Sequence, residues 1–163
     1  MTRSRILTLA LCLAAVSASF LADFRTSADA QGGAKLILEV TGFRNTKGNA
    51  LVSIYNSDGS FLEMDEAVKI NGKRYMKLPI KKTMRIEIPG LKPGTYAVGI
   101  VHDEDKDNGL DQWLGFGPPK EGVGMSRNPD GWPKWKKCNF KFDGNADKTL
   151  KIKMTYLGSD AGG

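Results

Sequence analysis

The sequence predicts an all-β protein, a single antiparallel β-sandwich of about seven strands. Apolar residues alternate with polar ones in seven separate runs, a period of two that is typical of strands with one buried and one wet face. Turns rich in glycine, proline and asparagine separate the runs. Helical signals are confined to one short stretch, where Ser60 and Glu63 have the spacing of a capping box before a turn through 61–64.

The first thirty residues have the pattern of a secretory signal peptide. Arg3 and Arg5 precede an apolar segment, 6–22, and Ala28-Asp29-Ala30 offers a small-residue cleavage site. The apolar segment is also just long enough for a membrane anchor, but the small-residue site after it favours cleavage. We therefore predict a periplasmic or secreted protein with no transmembrane span after cleavage.

Cleavage after residue 30 leaves a chain that suits one domain: a β-sandwich over 31–157 and a disordered tail over 158–163. Loss of three arginines and two aspartates with the leader leaves a net charge of +5. A basic surface attracts anionic lipid, polysaccharide or nucleic acid, and export argues against nucleic acid. Cys138 is then the only cysteine, so we expect a small buried apolar residue, with pairing between chains as the alternative.

The seven predicted strands lie, in chain order, at 36–40, 50–54, 76–80, 84–88, 96–100, 140–142 and 150–156. Pro79 has no N–H for a strand ladder, which predicts an edge position for the third strand. Pro93-Gly94 predicts a tight turn just before Tyr96. A tyrosine in this position is typical of the tyrosine corner of Greek-key sandwiches, where its hydroxyl bonds to the preceding backbone.

An acidic loop follows the fifth predicted strand. Asp103, Asp105, Asp107 and Asp111 stand at alternate positions, and Gly109 stands where a calcium loop contributes a backbone carbonyl. Asn108 occupies the sharp-turn position, and asparagine tolerates the left-handed conformation. Because ligands alternate, Glu104 and Lys106 are expected to face solvent. The sequence therefore predicts a calcium site.

Two features separate this loop from an EF-hand. Leu114 replaces the bidentate glutamate at position 12, and the flanking segments are not helical. A further ligand must come from elsewhere, and Glu121 is the nearest candidate. The alternative is a solvated acidic turn in which aspartate and asparagine side chains bond their own backbone.

His102, the only histidine, continues the inward face of the fifth strand, so we expect a hydrogen-bonded residue at the edge of the core. It is also a candidate ligand-binding residue that could orient a loop carboxylate. One histidine beside Asp103 is not a catalytic triad, and one histidine with one cysteine falls short of a zinc site.

The segment 112–137 has no strand pattern, and a loop of this length is uncommon unless it is functional or packed by its own side chains. Three tryptophans with interleaved lysines predict a surface that binds an anionic glycan or a cell-envelope component. The candidate residues are Trp113, Trp132, Lys134, Trp135 and Lys136. The alternative is that the tryptophans cap the end of the sandwich as local core.

Two motifs together carry a resemblance. His102-Asp103-x-Asp105-x-Asp107-x-x-Leu110-Asp111 is followed by a Gly/Pro-rich block from Gly115 through Glu121-Gly122-x-Gly124-x-Ser126-x-Asn128. This pattern resembles a family of exported bacterial proteins, domain of unknown function 2141, over roughly 35–156. The resemblance implies an immunoglobulin-like or transthyretin-like sandwich with no established activity. The family usually has asparagine in place of Asp105 and Asp107, and glycine in place of Asn108.

These observations favour an exported, non-enzymatic protein with a calcium-type acidic loop that is structural or positions a ligand. The second interpretation is a glycan- or envelope-binding module that uses the tryptophans and lysines. A third, less favoured, is a metal-assisted hydrolase built around His102, Asp103 and Glu121.

Overall fold

The computed structural model describes residues 33–110 and 119–157, and these residues form an all-β structure. The predicted signal peptide, the tail, Asp111 and Trp113 lie outside the described residues. Nine strands occur in the described residues: β1 Leu36–Thr41, β2 Asn49–Tyr55, β3 Tyr75–Pro79, β4 Met84–Ile88, β5 Gly94–Asp103, β6 Gly122–Met125, β7 Phe140–Phe142, β8 Lys148–Lys153 and β9 Thr155–Tyr156.

The strands form two sheets. The smaller sheet has the order β4-β1-β8, and the larger has the order β3-β2-β5-β6-β9, with β7 also paired to β5. All pairs are antiparallel except β1 and β8. β3 pairs with β2 alone and ends at Pro79, which confirms the predicted edge position.

The alternating apolar residues of the two sheets form one core. Leu38, Ile54, Val98 and Ile100 are among its fully buried members, and Ile152 completes it from the smaller sheet. Full burial of each such side chain contributes about 1.5–3 kcal/mol. Period-two alternation in the sequence therefore identified correctly which residues of the seven predicted strands face this core.

The predicted run 150–156 divides into β8 and β9, and each part joins a different sheet. The division falls at Met154, whose N–H donates a hydrogen bond to the Thr41 carbonyl. Nine strands therefore replace the expected seven, one from this division and one from β6.

The expectation that 112–137 has no regular structure is wrong for its described part. This part contains β6 and one turn of helix, α1 Trp135–Cys138. β6 lacks an apolar alternation because two of its four residues are glycines that make room for neighbours. A Cβ on Gly122 would meet the Tyr156 ring at 2.3 Å, and one on Gly124 would meet Ile152 at 2.9 Å.

Two polar side chains after β6 form hydrogen bonds to the backbone of other segments. Ser126 Oγ accepts a hydrogen bond from the Val98 N–H and donates one to the Cys138 carbonyl. Asn128 accepts from the Lys153 N–H and donates to the Lys151 carbonyl. Cys138 is fully buried, as expected, and burial raises the pKa of its thiol.

The capping box predicted at Ser60 and Glu63 does not form. Ser60 Oγ instead lies 2.9 Å from Ser57 Oγ, and the helical turn is a 3-10 turn at Met64–Glu66. Glu63 precedes that turn without a side-chain cap. In the part of the chain that the structure describes, no helix has the length and apolar character needed to cross a bilayer.

The predicted tyrosine corner is present. Tyr96 donates a hydrogen bond of 2.9 Å from its hydroxyl to the Lys92 carbonyl, and burial raises its pKa. Gly94 is required beneath the ring, because a Cβ there would meet the ring at 2.9 Å. The corner thus fixes the start of β5, the strand that ends at the acidic loop.

Replacing Tyr96 with phenylalanine should destabilise the protein by about 1 kcal/mol, since it removes one hydrogen bond and leaves the Lys92 carbonyl unpaired. Urea unfolding measures this loss. Tyr75→Phe is the matched control, because no hydrogen bond is recorded for its hydroxyl within the described residues. Equal losses in the two variants would contradict the role of the corner.

Candidate functional site

The candidate site lies where β5 and β6 end side by side. His102 pairs with Gly122, so the next step of the same register sets Asp103 opposite Glu121. Both side chains lie on the outer face of the larger sheet, and their residues are 0% and 5% exposed. Like charges directly opposite each other on neighbouring strands are destabilising, so this buried pair requires a compensating partner.

Asp105 completes a three-carboxylate cluster. One ligand oxygen from each of Asp103, Asp105 and Glu121 lies within 4.8 Å of the other two. Both carboxylate oxygens of Asp103 are buried and have no hydrogen-bond partner in the described part of the chain. A buried carboxylate without a partner is strongly unfavourable, and a cation among these oxygens would relieve it.

The loop holds Glu121 and Asp105 in place through its backbone. Glu121 Oε1 accepts a hydrogen bond of 2.8 Å from the Glu104 N–H, and Asp105 Oδ1 accepts one of 3.1 Å from the Asp107 N–H. Gly48 approaches from the other side, because a Cβ there would overlap the Asp103 carbonyl oxygen at 1.9 Å. The positive φ of 69° at Gly48 also favours glycine.

The remaining predicted loop ligands are placed differently. Asp107 lies outside the cluster, and its Oδ1 accepts a hydrogen bond of 2.7 Å from the Gly109 N–H, the local bonding expected of an acidic turn. Asn108 has a positive φ of 70°, in keeping with its turn position, and accepts a hydrogen bond from Lys77. Asp111 lies outside the described residues, so its place relative to the cluster is not defined.

The expectation that Glu104 faces solvent is wrong. Its carboxylate accepts hydrogen bonds from Arg44 Nε at 2.5 Å and Asn45 Nδ2 at 3.1 Å. Burial acts to raise the pKa of Glu104, but these hydrogen bonds and the charge of Arg44 outweigh it and leave the pKa lowered. The simple alternation of inward and outward residues ends with the strand at Asp103.

His102 is fully buried at the edge of the core, as expected. Its Nε2 lies 2.9 Å from the Lys47 carbonyl, so Nε2 carries the proton and donates. The Tyr156 hydroxyl lies 2.7 Å from Nδ1, donates to it, and accepts from the Arg44 N–H. Both ring nitrogens are therefore engaged within the protein, which gives His102 a structural position beside the cluster.

A second feature is an open groove beside α1 that contains four of the predicted glycan-binding residues. Trp132 is 57% exposed, Trp135 is half-buried, and Lys134 and Lys136 are exposed. Trp135 packs edge-on against Phe61, with ring centroids 5.9 Å apart. Trp135 therefore packs as local core, which was the predicted alternative. Trp132 is exposed to solvent, as a sugar-binding surface requires.

Sequence reasoning missed the partners of Glu104 and the hydroxyl of Tyr156. Arg44 and Asn45 lie in the turn after β1, and Tyr156 lies near the end of the chain, far from the acidic loop in sequence. The one available signal was the Arg-Asn pair beside a predicted turn, which offers donors for a carboxylate.

Comparison with known proteins yields one family match. A family model described as an uncharacterized protein conserved in bacteria, domain of unknown function 2141, matches residues 38–151. No curated protein and no solved structure matches the chain. The matched residues include the carboxylate cluster and the groove.

Replacing Glu104 with glutamine should destabilise the protein most at neutral pH. The pKa of Glu104 is lowered below its usual 4.5 in the folded state, so its contribution is present above that value and is lost as the pH falls through the lower folded pKa. Urea unfolding at pH 7, 4.5 and 3, with chelator present, measures the free energy of unfolding of the variant and of wild type. The difference between the two should become smaller below pH 4.5. Glu66→Gln, at an exposed site, is the control. A difference in the free energy of unfolding that is the same at pH 7 and at pH 3 would mean that the charge is not what the variant loses.

Proposed function

The chain belongs to the bacterial family domain of unknown function 2141, and from the geometry of its acidic cluster we propose an exported, non-enzymatic protein that binds calcium. Asp103, Asp105 and Glu121 are the proposed ligands. The observation that supports this proposal is the buried carboxylate of Asp103, with both oxygens unpartnered in the described residues.

Calcium suits this cluster better than other common metals. It is a hard cation that prefers carboxylate and carbonyl oxygens and accepts irregular geometry. The three carboxylates come from two strand ends and a loop and offer only oxygen ligands. Asp107, Asp111 and the Gly109 carbonyl are the nearest groups in sequence to complete the coordination, together with water. The cation would then be structural, or would position a ligand at this end of the sheet.

We also propose that the β-sandwich is immunoglobulin-like or transthyretin-like, and that the protein is periplasmic or secreted. Two packed sheets and the tyrosine corner support the first proposal. Arg3, Arg5 and the apolar segment that follows support the second.

Calcium should raise the melting temperature of the purified protein by several degrees. A ligand that binds only the folded state at a hundredfold excess over its Kd stabilises it by about 2.7 kcal/mol. Asp103→Asn should abolish the rise and, in chelator, should be at least as stable as wild type, because it removes one of two apposed charges. Thermal melts of both proteins, with calcium and with chelator, measure these effects.

The exposed Asp65→Asn is the matched control and should keep the full calcium response. Magnesium should give a smaller rise, because it demands regular octahedral geometry and dehydrates reluctantly. The site would be rejected if calcium left the melting temperature of wild type unchanged, or if it raised that of Asp103→Asn by the same amount.

The groove beside α1 supports a second candidate function, binding of an anionic polysaccharide. The exposed face of Trp132 can stack on a sugar ring, and Lys134, Lys136 and Lys137 can bind carboxylates or sulfates. Asp58 also lines the groove, and its negative charge would favour a sugar with spaced rather than dense negative charge.

Trp132→Ala should weaken binding of an acidic polysaccharide such as alginate at least tenfold, because the stacking surface is lost. A paired variant, Lys134→Ala with Lys136→Ala, should weaken binding and reduce its salt dependence. The matched control is Lys81→Ala with Lys82→Ala, an exposed lysine pair between β3 and β4. Titration followed by tryptophan fluorescence measures affinity. Equal affinity of the groove and control variants would reject this function.

A further inference from the structure

A cavity of about 270 Å³ lies on the outer face of the larger sheet. Its walls are mostly apolar and come from the segment after β2, from β6 and from the segment before α1. The principal wall residues are Leu62, Met64, Met125 and Trp132. An engineered cavity of about 150 Å³ is large enough to bind benzene, so this cavity has room for a larger organic molecule.

Two small residues form the floor of the cavity. Ser53 on β2 pairs directly with Gly99 on β5, and both line the space. A Cβ on Gly99 would meet the Tyr55 ring at 3.2 Å and the Met125 sulfur at 3.6 Å, so the glycine lets these two wall residues lie close to the sheet.

The floor contains an unpartnered polar group. Ser53 is 3% exposed, and its hydroxyl oxygen makes no hydrogen bond within the described residues. Burial raises the pKa of Tyr55, and the nearby Ser53 side chain acts to lower it. No hydrogen bond of good geometry joins the two side chains. A buried hydroxyl without a partner is unfavourable, and a ligand atom would satisfy it.

We propose that this cavity binds a small, neutral, largely apolar organic molecule with one hydroxyl or carbonyl group, which bonds to Ser53. The apolar walls contact the apolar part of the ligand, and the serine hydroxyl forms a hydrogen bond to its single polar group. Glu63 lines the same cavity and disfavours an anion. Met64 and Met125 are unbranched and adaptable, which suits ligands of somewhat different shape.

This site is independent of the calcium proposal. It depends on Ser53, Gly99 and the wall residues, none of which belongs to the carboxylate cluster. It also differs from the polysaccharide groove, whose lysines do not line the cavity, although Trp132 borders both.

The test compares two ligands that differ by one hydroxyl, 2-naphthol and naphthalene. The full chain is labelled with ¹³C at the methionine methyl groups, and each ligand is titrated while the methyl resonances are recorded. Both ligands should shift Met64 and Met125 saturably, and 2-naphthol should bind roughly three- to tenfold more tightly because of its hydrogen bond to Ser53.

Ser53→Ala should remove the preference for 2-naphthol and leave the affinity for naphthalene within about twofold. Thr149→Ala, which removes an exposed hydroxyl from the smaller sheet, is the control and should keep the preference. The proposal is overturned if neither ligand shifts the two methionines up to its solubility limit, or if the two bind wild type equally. The wild-type comparison decides the question even where a variant does not fold.

Discussion

The apposition of two buried carboxylates, Asp103 and Glu121, is the constraint around which one end of the larger sheet is arranged. The register of β5 and β6 sets them opposite each other, and the close approach of Gly48 covers Asp103 from the other side. The Glu104 N–H bonds to Glu121, while the Glu104 side chain turns away to Arg44 and Asn45. Within the described residues, both oxygens of the buried Asp103 carboxylate have no hydrogen-bond partner, and a buried carboxylate in that state is destabilising.

A hydrogen-bond network around His102 lies beside the carboxylates. His102 bonds to the Lys47 carbonyl and to Tyr156, and Tyr156 accepts from the Arg44 backbone. The Arg44 guanidinium also lies over the Tyr156 ring, 4.8 Å from its centre. Residues from the start and the end of the domain thus meet beside the carboxylates. These contacts fix the position of the loop that follows β5 relative to both ends of the domain.

The two central strands of the larger sheet, β2 and β5, are buried on both faces. The inner face of this sheet packs on the smaller sheet, while Leu51, Tyr55 and Ala97 on the outer face are also buried. Loops cover the outer face, with Phe61 in contact with Tyr55 on one side and Trp135 on the other. A layer of loops cannot pack as continuously as a sheet, so the cavity above Ser53 and the groove beside α1 both occur in it. The candidate sites therefore lie on one face of the molecule.

The sequence by itself determined the all-β class, the core-facing residues of seven strands, the tyrosine corner and the acidic loop with Glu121 as its distant partner. These follow from local rules: a period of two, proline and glycine chemistry, and the spacing of oxygen ligands. Only the tertiary structure decided that Asp103 and Glu121 are buried opposite each other and that the Glu104 carboxylate bonds to Arg44 and Asn45. Those outcomes depend on strand register and on contacts between residues far apart in sequence, which the period of two does not determine. The strand β6 was missed for the same reason, because its glycines are required by the side chains of Tyr156 and Ile152 and not by any pattern within the strand.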